Sequence, residues 1–193
     1  MMLSKRHGRD CADKGDFVDR GVFSRYNGWM LSALFPGSFD PPTNGHLNLI
    51  QRASGIYDHI HVVIAVNVTK QYTFTAEERF KMMSELLKGY GNVDVHLWDR
   101  LIVEFAEKVG ARLMIRGVRA LADFSYEFEL SMVNRGLNSS IETIFMPTDP
   151  QYFVLRSSQI KELARLGGDI STMVPEIVAV ALRQKVGGQA TVH

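Results

Sequence analysis

An apolar run, Leu31 to Phe35, breaks into Pro36-Gly37-Ser38-Phe39-Asp40-Pro41-Pro42-Thr43-Asn44-Gly45-His46, after which Leu47, Ile50, Ala53 and Ile56 recur at helical spacing. That order reads as a strand, a turn punctuated by Gly and Pro, and a helix start. Gly37 and Ser38 are small enough to let a ligand approach the backbone. Gly45 and His46 fall in the first helical turn, where unpaired N–H groups and the positive end of the dipole favour an anion. A histidine there adds a donor. The physical reading is a phosphate site at the carboxyl end of a strand.

The same alternation continues along the chain. His59 to Val66 has a continuous β-branched character that suits a parallel strand buried on both faces. Asn67 to Thr73 form a polar loop containing Lys70. Thr75-Ala76-Glu77-Glu78 is a capping box, opening a helix with Phe80, Met83 and Leu87 on one face and Gly89 and Gly91 at its end. Val93 to Leu97 alternate as a short strand, and Leu101 to Val109 read as a helix closed by Gly110. Arg112 to Arg116 form a strand that runs into Gly117-Val118-Arg119. Ala120 to Arg135 are helical, with Gly136 as the stop. Ile141 to Met146 make a fifth strand, Ser157 to Leu166 a helix ending at Gly167-Gly168, and Pro175 opens a last helix with Thr172 upstream as cap. Strands alternating with helices predict an α/β fold, a Rossmann-like, doubly wound parallel sheet of five strands with helices on both faces. In such sheets ligands sit beyond the carboxyl ends of the strands. Four segments therefore share one rim: the loop after strand one, Lys70 after strand two, Arg116 to Arg119 after strand four, and the residues before Ser157.

Composition narrows the classes. The 193 residues suffice for one domain, 46% of them apolar and 22% charged. A net charge of +1 gives no global attraction to nucleic acid or to an anionic membrane, so any anion site is local. Cys11 is the single cysteine; an internal disulfide is impossible and a reduced, cytoplasmic compartment is expected. No apolar run approaches transmembrane length. Residues 1–28 hold six basic residues (Lys5, Arg6, Arg9, Lys14, Arg20, Arg25) interleaved with Asp10, Asp13, Asp16 and Asp19, and few large apolar ones. They read as a flexible extension, with Met30 fitting as a natural start and a partner-binding arm as the alternative. The domain is expected over residues 29–186, with a tail at 187–193.

Each functional residue has a plainer reading on residue type alone. His46 is either a phosphate ligand or a cap neighbour, Ser38 a ligand or a turn residue, Lys70 a ligand or a solvated charge. Arg116 directly follows a buried strand and needs an anionic partner, either a bound phosphate or Asp123 or Glu127 in an internal ion network. Ser157 and Ser158 precede a helix and are N-caps or part of an anion site.

Resemblance adds to this. Thr43-Asn44-Gly45-His46 looks like the T-x-G-H motif of the nucleotidyltransferase superfamily, and the whole run P-G-S-F-D-P-P-T-N-G-H most resembles the bacterial phosphopantetheine adenylyltransferase family. Arg116 to Glu127 resemble that family's R-G-L/V-R-x-x-x-D-F/Y-x-Y-E, and Tyr152 to Glu162 its segment that closes over the ATP phosphates. The likeness covers Leu31 to Lys185. This chain departs from the pattern in Gln71 and Tyr72, where relatives have a basic residue or Pro, in Arg156, where Ser or Thr is usual, and in the detail of Met146 to Gln151.

The resemblance implies transfer of the adenylyl group of ATP to 4′-phosphopantetheine, giving dephospho-coenzyme A and pyrophosphate. It places His46, Lys70 and Arg116 in catalysis, with Ser38, Lys70, Ile102 and Arg116 on the acceptor. The nucleotide falls to Ser38, Phe39, His46, Gly117, Val118, Arg119, Glu127, Tyr152, Arg156, Ser157 and Ser158; Asp123, Phe124 and Tyr126 are mainly structural, and Ile102 is equally a core residue. It further implies Mg²⁺ bridging the triphosphate with no protein ligand, a homohexamer, and coenzyme A as a feedback ligand. Other acceptors within the superfamily, such as nicotinate mononucleotide, glycerol phosphate or phosphoethanolamine, fit the extended motifs less well. A non-catalytic nucleotide-binding module would have a broken motif, and none is broken.

Overall fold

The computed structural model describes residues 30–153 and 156–187, with Ala122 described in its backbone only; the expected extension at 1–28, the last six residues of the expected tail, and Val154 and Leu155 lie outside the described residues. Five strands, β1 (Ser32–Gly37), β2 (His59–Ala65), β3 (Val93–Trp98), β4 (Leu113–Val118) and β5 (Glu142–Pro147), form one parallel sheet in the order β3-β2-β1-β4-β5. Helices α1 (Asn44–Ser54), α2 (Ala76–Leu87), α3 (Ile102–Val109) and α4 (Leu121–Leu137) connect successive strands. After β5 come a 3₁₀ turn at Pro150–Tyr152 and helices α5 (Ser157–Arg165) and α6 (Glu176–Gly187).

Side chains alternate across the strands, so the central strands, with helices on both sides, bury apolar residues on both faces, as β1 does from Ala33 to Phe35. Phe35, Ile60, Val62, Ile64 and Ile115 face one side, where Leu49, Ile50, Met83 and Leu87 of α1 and α2 cover them. Leu34, Val63 and Met114 face the other side, under Val103, Phe105 and Ala106 of α3. A third apolar cluster joins α5 and α6 to Phe74 and the outer face of α2. The doubly wound sheet expected from the alternation is therefore present.

Three local expectations change. Gly136 lies inside α4, which runs to Leu137 and ends at Asn138. A Cβ at Gly136 would meet open space, so packing does not require glycine there, and the helix carries its propensity cost of about 1 kcal/mol. α6 begins at Glu176, after Pro175 rather than with it, and the Pro175 carbonyl accepts from Val178 and Ala179. The α6 helix also extends through Gly187, one residue into the expected tail.

One topological detail sets up everything that follows. β1 lies between β2 and β4, so the connections leave it in opposite directions, and this is the switch point. The β1–β2 ladder runs from Ser32 to Gly37, but the β1–β4 ladder registers only Ala33 with Leu113 and Leu34 with Met114. Pro36 has no N–H to contribute. The two strands thus part at their carboxyl ends. The Arg116 guanidinium bridges the gap, its Nη1 donating to the Pro36 carbonyl at 2.8 Å.

Candidate active site

Above that gap lies a cavity of about 450 Å³, within the range of small-molecule sites. The β1–α1 turn forms one wall through Ser38, Phe39 and His46. The end of β4 and the start of α4 form a second, through Arg116, Gly117, Arg119, Asp123 and Glu127. Tyr152, Arg156, Ser157 and Ser158 close the third. These are most of the residues marked in the sequence. Val118, Lys70 and Ile102 are not in the lining. Val118 is the last residue of β4, and its carbonyl accepts from the Thr148 amide. Lys70 is exposed on the loop after β2, on the same rim. Ile102 packs against the apolar cluster under α3, so the core reading holds for its side chain.

His46 is held by α1's own start. Thr43 is the N-cap, and its Oγ1 accepts from the His46 amide at 3.3 Å. In return the Thr43 amide donates to His46 Nδ1 at 3.0 Å. This is a capping box with histidine in the place usually filled by Glu or Gln. It makes Nδ1 an acceptor, which assigns the proton of the neutral ring to Nε2. Burial, and then the positive charges of Arg119 and Arg116, lower the His46 pKa to about 4. At neutral pH His46 is therefore a neutral donor, not a cation. Phe39 stacks edge-on to it with ring centroids 5.1 Å apart. The Phe39 ring is itself buried at 1% exposure and its backbone sits at φ +48°. A ligand would thus meet Phe39 through its backbone, since the ring is spent on packing.

Both arginines are already partnered. Arg116 Nε and Nη2 donate to the two Glu127 oxygens at 2.6 and 2.9 Å. Arg119 Nε donates to Asp123 Oδ2 at 2.9 Å, and Arg156 Nη2 reaches Asp123 Oδ1 at 3.3 Å. The ion-network reading of Arg116 is thus realised, and Glu127 meets the cavity as the clamp on Arg116. Asp123 lines the cavity while holding Arg119 and Arg156 in place. The network fixes a fork of guanidinium groups at the mouth of the parted strands, where bidentate recognition of phosphate is geometrically suited.

The serines do not cap α5. Its N-cap is Arg156, with no side-chain hydrogen bond to the helix start, while Ser157 Oγ donates to the Pro41 carbonyl at 3.1 Å. The start of α5 thus has no side-chain cap, and its first residues, Ser157 and Ser158, line the cavity at the positive end of the helix dipole.

Two residues that tie the site together were not marked in the sequence. Asp40, 4% exposed, accepts from the Thr73 and Phe74 amides at 3.0 and 2.9 Å and from Lys161 Nζ at 2.8 Å. It binds the β1–α1 turn to the 67–75 loop and to α5. Arg79, 1% exposed, donates to the Ser38 carbonyl at 2.7 Å and lies with its guanidinium carbon 4.1 Å from the Tyr72 ring centre. A signal existed for Arg79: it falls four residues before Met83 and eight before Leu87, on the buried face of α2.

A family model described as cytidylyltransferase-like matches residues 34–163, a span holding every wall of the cavity. The phosphopantetheine adenylyltransferase of Caldanaerobacter subterraneus subsp. tengcongensis is 44% identical over 156 residues, 81% of this chain and 98% of that one. That of Treponema pallidum is 46% identical over 155 residues, 80% of this chain and 98% of its own. Among solved structures, a Vibrio parahaemolyticus protein assigned as a nicotinate-nucleotide adenylyltransferase superposes with a TM-score of 0.60 at 20% identity, covering 83% of this chain and 96% of that one. That likeness is one of fold.

Proposed function

The chain belongs to the cytidylyltransferase-like nucleotidyltransferases and, within them, to the phosphopantetheine adenylyltransferases, and from this we infer that it transfers the adenylyl group of ATP to 4′-phosphopantetheine in coenzyme A synthesis. A phosphate oxygen of the acceptor forms a bond to the α-phosphorus of ATP, the α–β bridge breaks, and pyrophosphate leaves; dephospho-coenzyme A is the other product. The observation that carries the reading is the fork of Arg116 and Arg119 beside His46 at the parted ends of β1 and β4.

The acceptor is a phosphate monoester with a second pKa near 6, so it is largely ionised at neutral pH and needs no general base. Asp123 and Glu127, the carboxylates in the lining, are committed to Arg119 and Arg116. The barrier is to bring two polyanions into line, and catalysis is positioning plus electrostatics. In this reading Arg116 and Lys70 hold the acceptor phosphate, Lys70 from the exposed rim. Ser38 offers a hydroxyl between the two substrates. Arg119, Arg156 and the starts of α1 and α5 hold the triphosphate. His46 Nε2–H donates to the α-phosphate as charge develops on it.

Mg²⁺ would arrive with ATP and neutralise phosphate charge. The ion-paired carboxylates of the cavity do not make a protein ligand set for it, so no step is assigned to the ion. The exposed apolar side chains of α4, Leu121, Met132, Val133 and Leu137, support self-association, and the hexamer of the family is the assembly we propose. A cytoplasmic setting and feedback by coenzyme A belong to the same reading; no helix among the described residues is long and apolar enough to cross a membrane.

The test is pyrophosphate release from ATP and Mg²⁺ with 4′-phosphopantetheine, beside nicotinate mononucleotide. Release with 4′-phosphopantetheine alone is expected. Release only with the other acceptor would overturn the acceptor assignment and the roles of Lys70 and Arg116.

A further inference from the structure

At the opposite, amino-terminal end of the sheet, β2 and β3 place four metal-binding side chains on one face. His59 and His61 are two residues apart on β2, and Asp94 and His96 two apart on β3, so each pair points the same way. The register sets His61 directly beside Asp94. One ligand atom from each of His59, His61 and Asp94 lies within 4.8 Å of the other two, among the described residues the one such group of three. We propose that His59, His61 and Asp94 bind a divalent transition-metal ion, with His96 as the residue that orients His61.

One pair already stands at the spacing such an ion requires, and the His61 ligand atom, within 4.8 Å of both, has to close in on it. His59 Nε2 and Asp94 Oδ2 are 3.1 Å apart. Two ligands at about 2.0–2.1 Å from a tetrahedral zinc ion are separated by about 3.3 Å. His96 Nε2 lies 3.2 Å from His61 Nδ1, the kind of partner that fixes the ring plane and tautomer of a ligating histidine. Phe105 of α3 packs against the His61 and His96 rings, with centroids 6.2 and 5.0 Å away, and walls the group on its inner side. Asp94 is 63% exposed and leaves the outer side open to water, which completes the coordination.

Two imidazoles and a carboxylate are a borderline N/O donor set, suited to Zn²⁺, Ni²⁺ or Cu²⁺ more than to Mg²⁺ or Ca²⁺. The site stands apart from the cavity at the carboxyl ends of β1 and β4. Its effect would be to clip the edge strand β3 to β2, and it does not depend on the adenylyltransfer reading.

The experiment is calorimetric titration of the full chain with ZnCl₂, paired with thermal melting. One equivalent should bind with micromolar or tighter affinity and raise the melting temperature by about 5–10 °C at a hundredfold excess over Kd. His61→Val, a substitution suited to a strand, and Asp94→Asn should each weaken binding at least tenfold. His96→Val should weaken it by about tenfold or more while leaving the stoichiometry at one. No saturable binding by the wild type would overturn the proposal. So would binding that persists at full strength in both His61→Val and Asp94→Asn, because zinc would then sit on other histidines.

Discussion

Gly117→Ala tests whether the glycine after Arg116 serves packing or substrate approach. A methyl group at Gly117 would stand 2.4 Å from Leu49 Cδ1 and 3.8 Å from its Cγ. Ordinary carbon contacts begin at about 3.5 Å, so something must move by roughly 1 Å. Leu49 Cδ1 is the tip of a side chain, but Leu49 is 3% exposed within the core between α1 and the sheet, and has little room to turn. Overpacking of this kind costs about 1–3 kcal/mol. For a chain of this size that lowers the melting temperature by roughly 2–12 °C. The assay is denaturant and thermal unfolding of Gly117→Ala, Leu49→Ala and the double variant. Leu49→Ala alone should cost about 2–5 kcal/mol. In its background the new methyl enters vacated space, so the increment from Gly117→Ala should fall close to zero, a coupling of about 1–3 kcal/mol. Strictly additive costs would refute the argument. So would an unchanged melting temperature with a raised KM for ATP, which would mean the glycine is there for the nucleotide alone.

Two further outcomes follow from the histidines. His46→Ala should keep the fold and lower kcat by about a hundred- to a thousandfold, the scale for loss of one transition-state donor; activity within a few-fold of wild type would remove His46 from the chemistry. His46 and His61 both have folded-state pKa values near 4, below the ordinary 6.5. Between those values the unfolded chain binds protons that the folded one does not, so stability rises with pH from about 4 to 6.5 and is lost on acidification. Unfolding free energies measured across that window should show a shallower slope in His61→Val than in wild type, and an identical slope would contradict the lowered pKa of the half-buried His61.

Much of this molecule is decided locally and is legible in the chain. Strands alternating with capped amphipathic helices point to a parallel sheet covered on both faces, because the apolar run of β1 and the β-branched run of β2 need cover on either side. The Gly- and Pro-rich turn before His46 and the Arg-Gly-Val-Arg run after β4 are contiguous motifs, so their family and their place at one rim follow from residue order alone. Partnerships across the chain are another matter. Arg116 spans to Pro36, eighty residues away, because β1 and β4 part beyond Leu34 and Met114. Asp40 gathers amides from Thr73 and Phe74 and the ammonium of Lys161, and Arg79 reaches back to Ser38; the motif around Asp40 and the helical spacing of Arg79 mark the positions, but neither names these distant partners. Residue order could offer Arg116 a phosphate or an internal carboxylate and could not choose; the fold supplies Glu127. The sequence likewise names a histidine at the start of α1, but its neutral state comes from burial and from two arginines carried in by β4 and the turn that follows it. Sequence determines which groups exist and which local conformation each residue prefers. Desolvation and pairing depend on what the tertiary structure brings alongside, and those two effects set charge state and reach in this site.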